Sequence, residues 1–270
     1  MKRLLSVLIV LVLLLSACAG EDSPQLNFPS DPDAMVLQVR WERGFVPAEF
    51  TLSRVPRFTL LADGRLLFEG PQIEIFPAPL LPNIQSVQLD DSTIDLIKEY
   101  ILGIGFPDIV FERNDEAASN IADAPDDVVT YVDANGEHVF SVYALQIHEQ
   151  FTDARVVQLR DLVNLLEQAT FSGAGAGSYV PDRLQVFASI PEIPTDPQFH
   201  NVQPWPFPAG FGDLAQASLP EWRCATYQGD QAAQLLSVLG SANQVTTFDL
   251  DGTEYRIIGR PLLPGEAGCG

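Results

Sequence analysis

Few side chains in this sequence could do chemistry. His138, His148 and His200 are its three histidines. Nucleophilic hydrolysis needs a serine or cysteine beside a histidine and an acid, and no serine stands in a G-x-S-x-G elbow. His138 falls in a hairpin arm and reads as a solvated strand residue. The stretch HEQF at 148–151 lacks the second histidine of a zincin helix, so no zinc site is expected. Two acid clusters remain, NDE at 114–116 and DAPDD at 123–127. Together they form a loop that could turn Asp115, Glu116, Asp123, Asp126 and Asp127 toward one hard cation such as Ca²⁺. A solvated, self-repelling loop is the plainer expectation. Nothing in the spacing supports the paired carboxylates of a glycosidase, and no other cofactor is implied.

The best candidate contact surface is HNVQPWPFPAGFGDL at 200–214. Its prolines stiffen the chain toward polyproline II, while Trp205, Phe207 and Phe211 offer large apolar area at low entropic cost. Such a strap either presents its aromatics to a peptide or glycan or folds them onto a core. Trp222, two residues from Cys224, reads as packing.

The N-terminus carries an address. Lys2 and Arg3 precede the apolar run Leu4–Leu15, which is too short to span a bilayer and reads as a signal peptide. Leu15-Ser16-Ala17-Cys18 follows and resembles the bacterial lipobox. The resemblance implies that residues 1–17 are removed and that Cys18 becomes the lipidated first residue. Two or three acyl chains, at about 0.8 kcal/mol per buried methylene, anchor a protein stably. Lipidation would consume one of three cysteines, and outside the cytoplasm Cys224 and Cys269 can then pair. That bridge would contribute about 4 kcal/mol by chain-entropy arithmetic.

Without residues 1–17 the chain has 13 basic residues against 36 acidic ones, a net charge of −23. This sign disfavours nucleic acid and anionic lipid, so membrane contact would come from the anchor alone. Hydrophobic content of 46% is enough for a core.

The elements that must position these residues are also legible. Residues 18–34 are polar and rich in proline and acid, and read as a flexible tether. From Met35, alternation of Leu37, Val39 and Trp41 against Val36, Gln38 and Arg40 predicts a strand. The segments TLLADGRLLF at 59–68, YVDANGEHVF at 131–140 and TFDLDGTEYR at 247–256 centre on Asp-Gly or Asn-Gly and predict three hairpins, those pairs tolerating the positive φ of a type I′ turn. Calcium loops of the EF-hand type are excluded by spacing.

Three helices are expected. The first has a capping box at Ser92 and Asp95, a stripe of Ile94, Ile97, Ile101 and Ile104, and a stop at Gly105. The second buries Leu159, Leu162, Val163 and Leu166. The third takes Asp230 as its cap, presents Leu235, Leu236 and Leu239, and ends at Gly240. FSGAGAGSY, following the second helix, lacks the context of a dinucleotide fingerprint. Residues 172–178 therefore read as a glycine-rich linker between an N-terminal unit, 35–171, and a C-terminal unit, 179–270. The fold class expected is α+β, with antiparallel hairpins packed on a few amphipathic helices in two related units.

The order of these motifs, from the DGRLLF hairpin through PAPLLPN and NGEHVFSVYAL to PWPFP and a final cysteine, resembles a group of exported actinobacterial lipoproteins of unknown function. The resemblance implies an architecture and an exported habitat and brings no catalytic residue. The leading expectation is a lipid-anchored binding protein on the outer face of a bacterial membrane. Its partner would be an envelope protein, peptide or glycan. The alternatives are an exported, carboxylate-dependent hydrolase, with or without Ca²⁺, and a structural spacer of the envelope.

Overall fold

The computed structural model describes residues 26–172, 174–191, 198, 200–208 and 214–269. In chain order its elements are β1 (Met35–Arg43), α1 (Phe50–Ser53), β2 (Phe58–Leu61), β3 (Arg65–Glu69), β4 (Ile84–Gln88), α2 (Asp91–Ile104), a 3-10 turn at Phe106–Asp108, β5 (Phe111–Asn114), β6 (Pro125–Asp133), β7 (Gly136–Tyr143) and α3 (Ala154–Ser172). There follow β8 (Ala174–Ser178), β9 (Arg183–Ser189), β10 (Asn201–Pro204), β11 (Ala215–Gln216), β12 (Arg223–Gln228), α4 (Asp230–Gly240), β13 (Thr246–Leu250) and β14 (Thr253–Pro261). The class is α+β with a majority of strands. An eight-stranded sheet runs β5-β7-β6-β1-β2-β3-β4-β8, and a six-stranded sheet runs β10-β13-β14-β9-β12-β11.

All three expected hairpins form, as β2–β3, β6–β7 and β13–β14. Only the third places both central residues, Asp251 and Gly252, at positive φ, as a type I′ turn requires. The other two reach their register with only the glycine, Gly64 or Gly136, in that region. β1 differs from strict alternation because a register shift between Met35 and Leu37 turns Val36 inward beside Leu37.

Period-two alternation separates the faces of the first sheet. Leu60 and Leu66 join the main core under α2 and α3, while Leu61 and Leu67 face the other way, into a smaller cluster with Val55, Ile84 and Leu263. Ile97, Ile101 and Ile104 of α2 are buried and Ile94 is half-buried against them; the α3 stripe is fully buried. α2 is capped by Asp90, whose carboxylate accepts from the Thr93 N–H, and Ser92 donates to that carboxylate. The expected capping box is thus displaced by two residues, because the acid one step outside the first turn reaches the orphan N–H. Gly105 stops the helix at φ 78°, its N–H reaching Ile101 and Leu102. α4 ends at Gly240 as expected, with Ser241 as its C-cap, but its N-cap is Gly229 and Asp230 is its first helical residue.

Two expectations about connecting segments change. Ala174–Ser178 is an antiparallel partner of β4 at the edge of the first sheet. Alanine and glycine carry no side-chain pattern to announce a strand, so backbone pairing alone reveals it. In the tether, residues 26–34 lie on the fold: Leu26 and Phe28 pack against the main core, Asp33 pairs with Arg65, and the Ala34 carbonyl accepts from Ala62. Cys18 and the rest of that segment lie outside the described residues.

The second sheet has its own core. Leu184, Val186, Leu235, Leu239, Phe248 and Ile257 are buried between strands and α4, with Leu236 half-buried beside them. The sheets are linked by shared clusters rather than by one polar seam. Leu80 and Leu81 pack on the second core, Leu263 packs with the first sheet, and Leu52 packs with Phe187, Trp222 and Cys224. Cys224 and Cys269 form a disulfide, with Cα atoms 6.0 Å apart, and Trp222 packs beside it as expected.

Candidate functional site

A cleft of about 290 Å³ opens where α1, the end of β1 and the proline-rich segment 70–83 meet. Three elements dictate its walls. The short turn of α1 holds Phe50 outward and Leu52 inward, since neighbouring positions on one helical turn face opposite ways. Trp41 stands near the end of β1, while the prolines of FPAPLLP cannot extend a ladder and run as a strap. The floor comes from buried Val55 and half-buried Leu80 and Leu81. Around the mouth Trp41, Phe50 and Ile73 remain 40%, 55% and 65% exposed, so the rim is apolar as well.

Two arginines stiffen this rim. Arg54 donates to the carbonyls of Trp41, at 3.1 Å, and Arg43, at 3.2 Å, tying the two walls together. Burial lowers its pKa. The Arg57 guanidinium lies 4.6 Å from the Trp41 ring centroid and 5.1 Å from that of Phe58. It also approaches Asp127 at 3.5 Å and Glu167 at 3.7 Å. Asp127 accepts from the Trp41 indole N–H at 3.0 Å, so the aromatic wall is fixed from beneath. Burial pushes the Asp127 carboxyl up to about 6, opposed by Arg57 and the Trp41 hydrogen bond. Glu69, at the cleft edge, is likewise raised by burial while Gln72 donates to it. Among the described residues lining the cleft there is no histidine or cysteine. The arrangement suits apolar side chains held against aromatic faces.

The residues expected to contact ligand sit elsewhere. Trp205 is 7% exposed and packs edge-on against Phe248 at 5.7 Å. Phe207 is half-buried and stacks on Tyr227 at 5.3 Å. This strap has folded onto the second core because Asn201–Pro204 pairs in parallel with β13, and the Trp205 N–H continues that ladder to the Asp249 carbonyl. Phe211 lies outside the described residues.

The five acids expected in one loop do not converge on one site, although Asp115 and Asp126 share Arg113. Asp126 and Asp127 belong to β6 and point to opposite faces of the sheet. Asp126 pairs with Arg43 and Arg113, whereas Asp127 sits under Trp41. Asp115 pairs with Arg113, Glu116 accepts from the Thr152 N–H, and Asp123 is exposed at positive φ. Among the described residues no group of three or more metal-ligating side chains converges.

His138 is buried rather than solvated. Its Nδ1 lies 3.0 Å from the Ile109 carbonyl and its Nε2 2.9 Å from Asp133, and both partners are acceptors. The loop before β5 covers it, a long-range contact with no local signal. Burial raises Asp133, but the His138 and Asn135 hydrogen bonds outweigh it and hold the carboxyl below its ordinary value. His148 packs on Phe151, and exposed His200 donates to Glu254. No family model, curated protein or solved structure matches this chain. Among the described residues no helix is long and apolar enough to cross a membrane.

Proposed function

We propose that this protein is a lipid-anchored binding module on the outer face of a bacterial membrane, engaging an envelope protein or peptide through the cleft between α1 and the 70–83 strap. The observation that carries the reading is the rim of Trp41, Phe50 and Ile73, exposed around an apolar floor and braced by Arg54 and Arg57. Exposed aromatics in rigid settings are the usual anchors of protein recognition. The predominance of apolar lining favours side chains over a glycan, which would need convergent polar groups. The lipobox-like LSAC at 15–18 supports the location, and the net charge of −21 for the whole sequence opposes any contribution from anionic lipid.

Two experiments test the parts separately. Cys18→Ala is expected to release the protein from membranes or leave it unprocessed; normal cleavage with unchanged membrane retention would refute the anchor. For the cleft, photo-crosslinking from position 73 in the native envelope should give an adduct. Phe50→Ala, with the fold intact by circular dichroism, should abolish that adduct. An adduct indifferent to Phe50→Ala would place the contact elsewhere.

A further inference from the structure

The disulfide lies within reach of the cleft wall by two independent routes. The first is packing. Leu52, the inward residue of α1, shares a buried cluster with Cys224, Phe187 and Trp222, and Cys269 packs against it. The second is a run of hydrogen bonds. The Gln185 side-chain amide approaches both sulfurs, at 3.3 Å for Cys224 and 2.9 Å for Cys269. Its carbonyl accepts from Arg260 at 2.9 Å, and Arg260 also donates to the backbone carbonyl of Arg54 at 2.8 Å. Arg54 in turn holds Trp41 and Arg43.

The C-terminal tail closes the same circuit. Glu266 pairs with Arg260 and accepts from the Leu263 N–H, and Leu263 is buried beside Val55 of the cleft floor. Within the tail only the bridge is covalent. Without it the tail would be held by the Arg260–Glu266 pair, the Cys269 N–H bond to Thr226, at 2.8 Å, and the Arg183 bond to the Glu266 carbonyl, at 2.9 Å.

We propose that the Cys224–Cys269 bridge is a redox latch for the cleft. An envelope dithiol reduces the bridge, two electrons and two protons converting the S–S bond to two thiols while the dithiol closes to its own disulfide. The tail then loses its covalent hold, Leu52 loses the packed edge of its cluster, and the α1 wall with Arg54 loosens. In the oxidised state the wall is set for binding. This rests on the reading of the cleft as the contact site.

Hydrogen–deuterium exchange of the full chain tests the latch without a ligand. The amides of Phe50, Thr51 and Leu52 donate to the carbonyls of Pro47, Ala48 and Glu49, closing the α1 turn, and report on it. Three samples are compared with the oxidised protein: one treated with a phosphine reductant, the Cys224→Ser/Cys269→Ser variant, and Arg260→Gln with the bridge intact. The latch predicts that exchange across 50–55 becomes about tenfold faster in all three, a typical size for coupling between sites, while α3 stays protected. Faster exchange confined to 264–269 would overturn the proposal, and so would a uniform rise that includes α3. The cleft reading fails by a different sign, an oxidised protein whose envelope adduct ignores Phe50→Ala.

Discussion

Two proline-rich, apolar straps, 200–214 and 70–83, have opposite roles. The first carries the tryptophan and phenylalanines that a sequence reader would choose as a contact surface, yet Trp205 and Phe207 close the second core. The second contains GPQIEIFPAPLLPN, whose Ile73, Ile75 and Phe76 remain exposed while Leu80 and Leu81 turn down. What separates them is the partner available to the backbone. Asn201–Pro204 finds an open edge in β13 and is drawn into register, which fixes Trp205 over Phe248. Among the described residues the 70–83 segment joins no strand ladder: it leaves β3 and meets the second unit's backbone at an isolated bridge, Pro79 with Asn243, and at the Gln244 N–H bond to the Ala78 carbonyl. Composition sets what a strap can offer, and ladder pairing decides which way it offers it.

The largest effect expected from this contrast is on stability. Trp205→Ala removes a buried indole from the second core and should lower the unfolding free energy by about 3–5 kcal/mol, as large-to-small aromatic substitutions in cores do. A urea midpoint close to the parent protein's would show that the first strap is not core, and the comparison would collapse.

The same contrast marks what the sequence makes legible. Hairpins are local: Asp63-Gly64, Asn135-Gly136 and Asp251-Gly252 announce their own turns, and the helical stripes and the Gly105 stop are equally short-range. The disulfide follows from cysteine arithmetic once Cys18 is set aside. Features made by distant pairing are silent. The strand Ala174–Ser178, the parallel additions β5–β7 and β10–β13, and the burial of His138 beneath Ile109 all depend on what another part of the chain supplies. For the cleft, Trp41 and the strap could be read individually, but nothing in either predicts the Arg54 and Arg57 contacts that join them. Asp126 and Asp127 illustrate the limit most directly. Five acids in fourteen residues read as a loop, whereas a strand sends these two to opposite faces, Asp126 toward Arg43 and Arg113 and Asp127 toward Arg57.

The second effect concerns the wall facing the strap. Asp127 has its folded pKa raised to about 6, above the unfolded value, so between about pH 4 and pH 6 the folded state binds more protons than the unfolded one. Stability from this group is therefore present at the acid end and lost as pH rises through 6. A shift of this size corresponds to about 3 kcal/mol. Asp127→Asn keeps an acceptor for the Trp41 indole and removes the titration. Unfolding measured from pH 4.5 to 7.5 should show the parent losing stability relative to the variant as pH rises. A parent-minus-variant difference that is flat with pH would mean Asp127 is ionised throughout and braces Trp41 as a full charge.

The smallest effect on stability is expected where the cleft reading needs exposure to be real. Ile73 and Phe76 are 65% and 63% exposed, so Ile73→Ser and Phe76→Ser leave little buried area to lose. Surface changes of this kind stay within about 0.5 kcal/mol, against the several kcal/mol expected at Trp205. Ile73 lines the cleft and Phe76 does not, which separates general stickiness from a defined site. With a crosslinker moved to Ser53, another lining position, the envelope adduct should fall with Ile73→Ser and persist with Phe76→Ser, at unchanged urea midpoints for both. If both substitutions reduce the adduct equally, the strap acts as an undifferentiated apolar surface and the cleft is not the site. If either lowers the midpoint by as much as Trp205→Ala, the second strap is core as well, and the distinction drawn between the two segments fails.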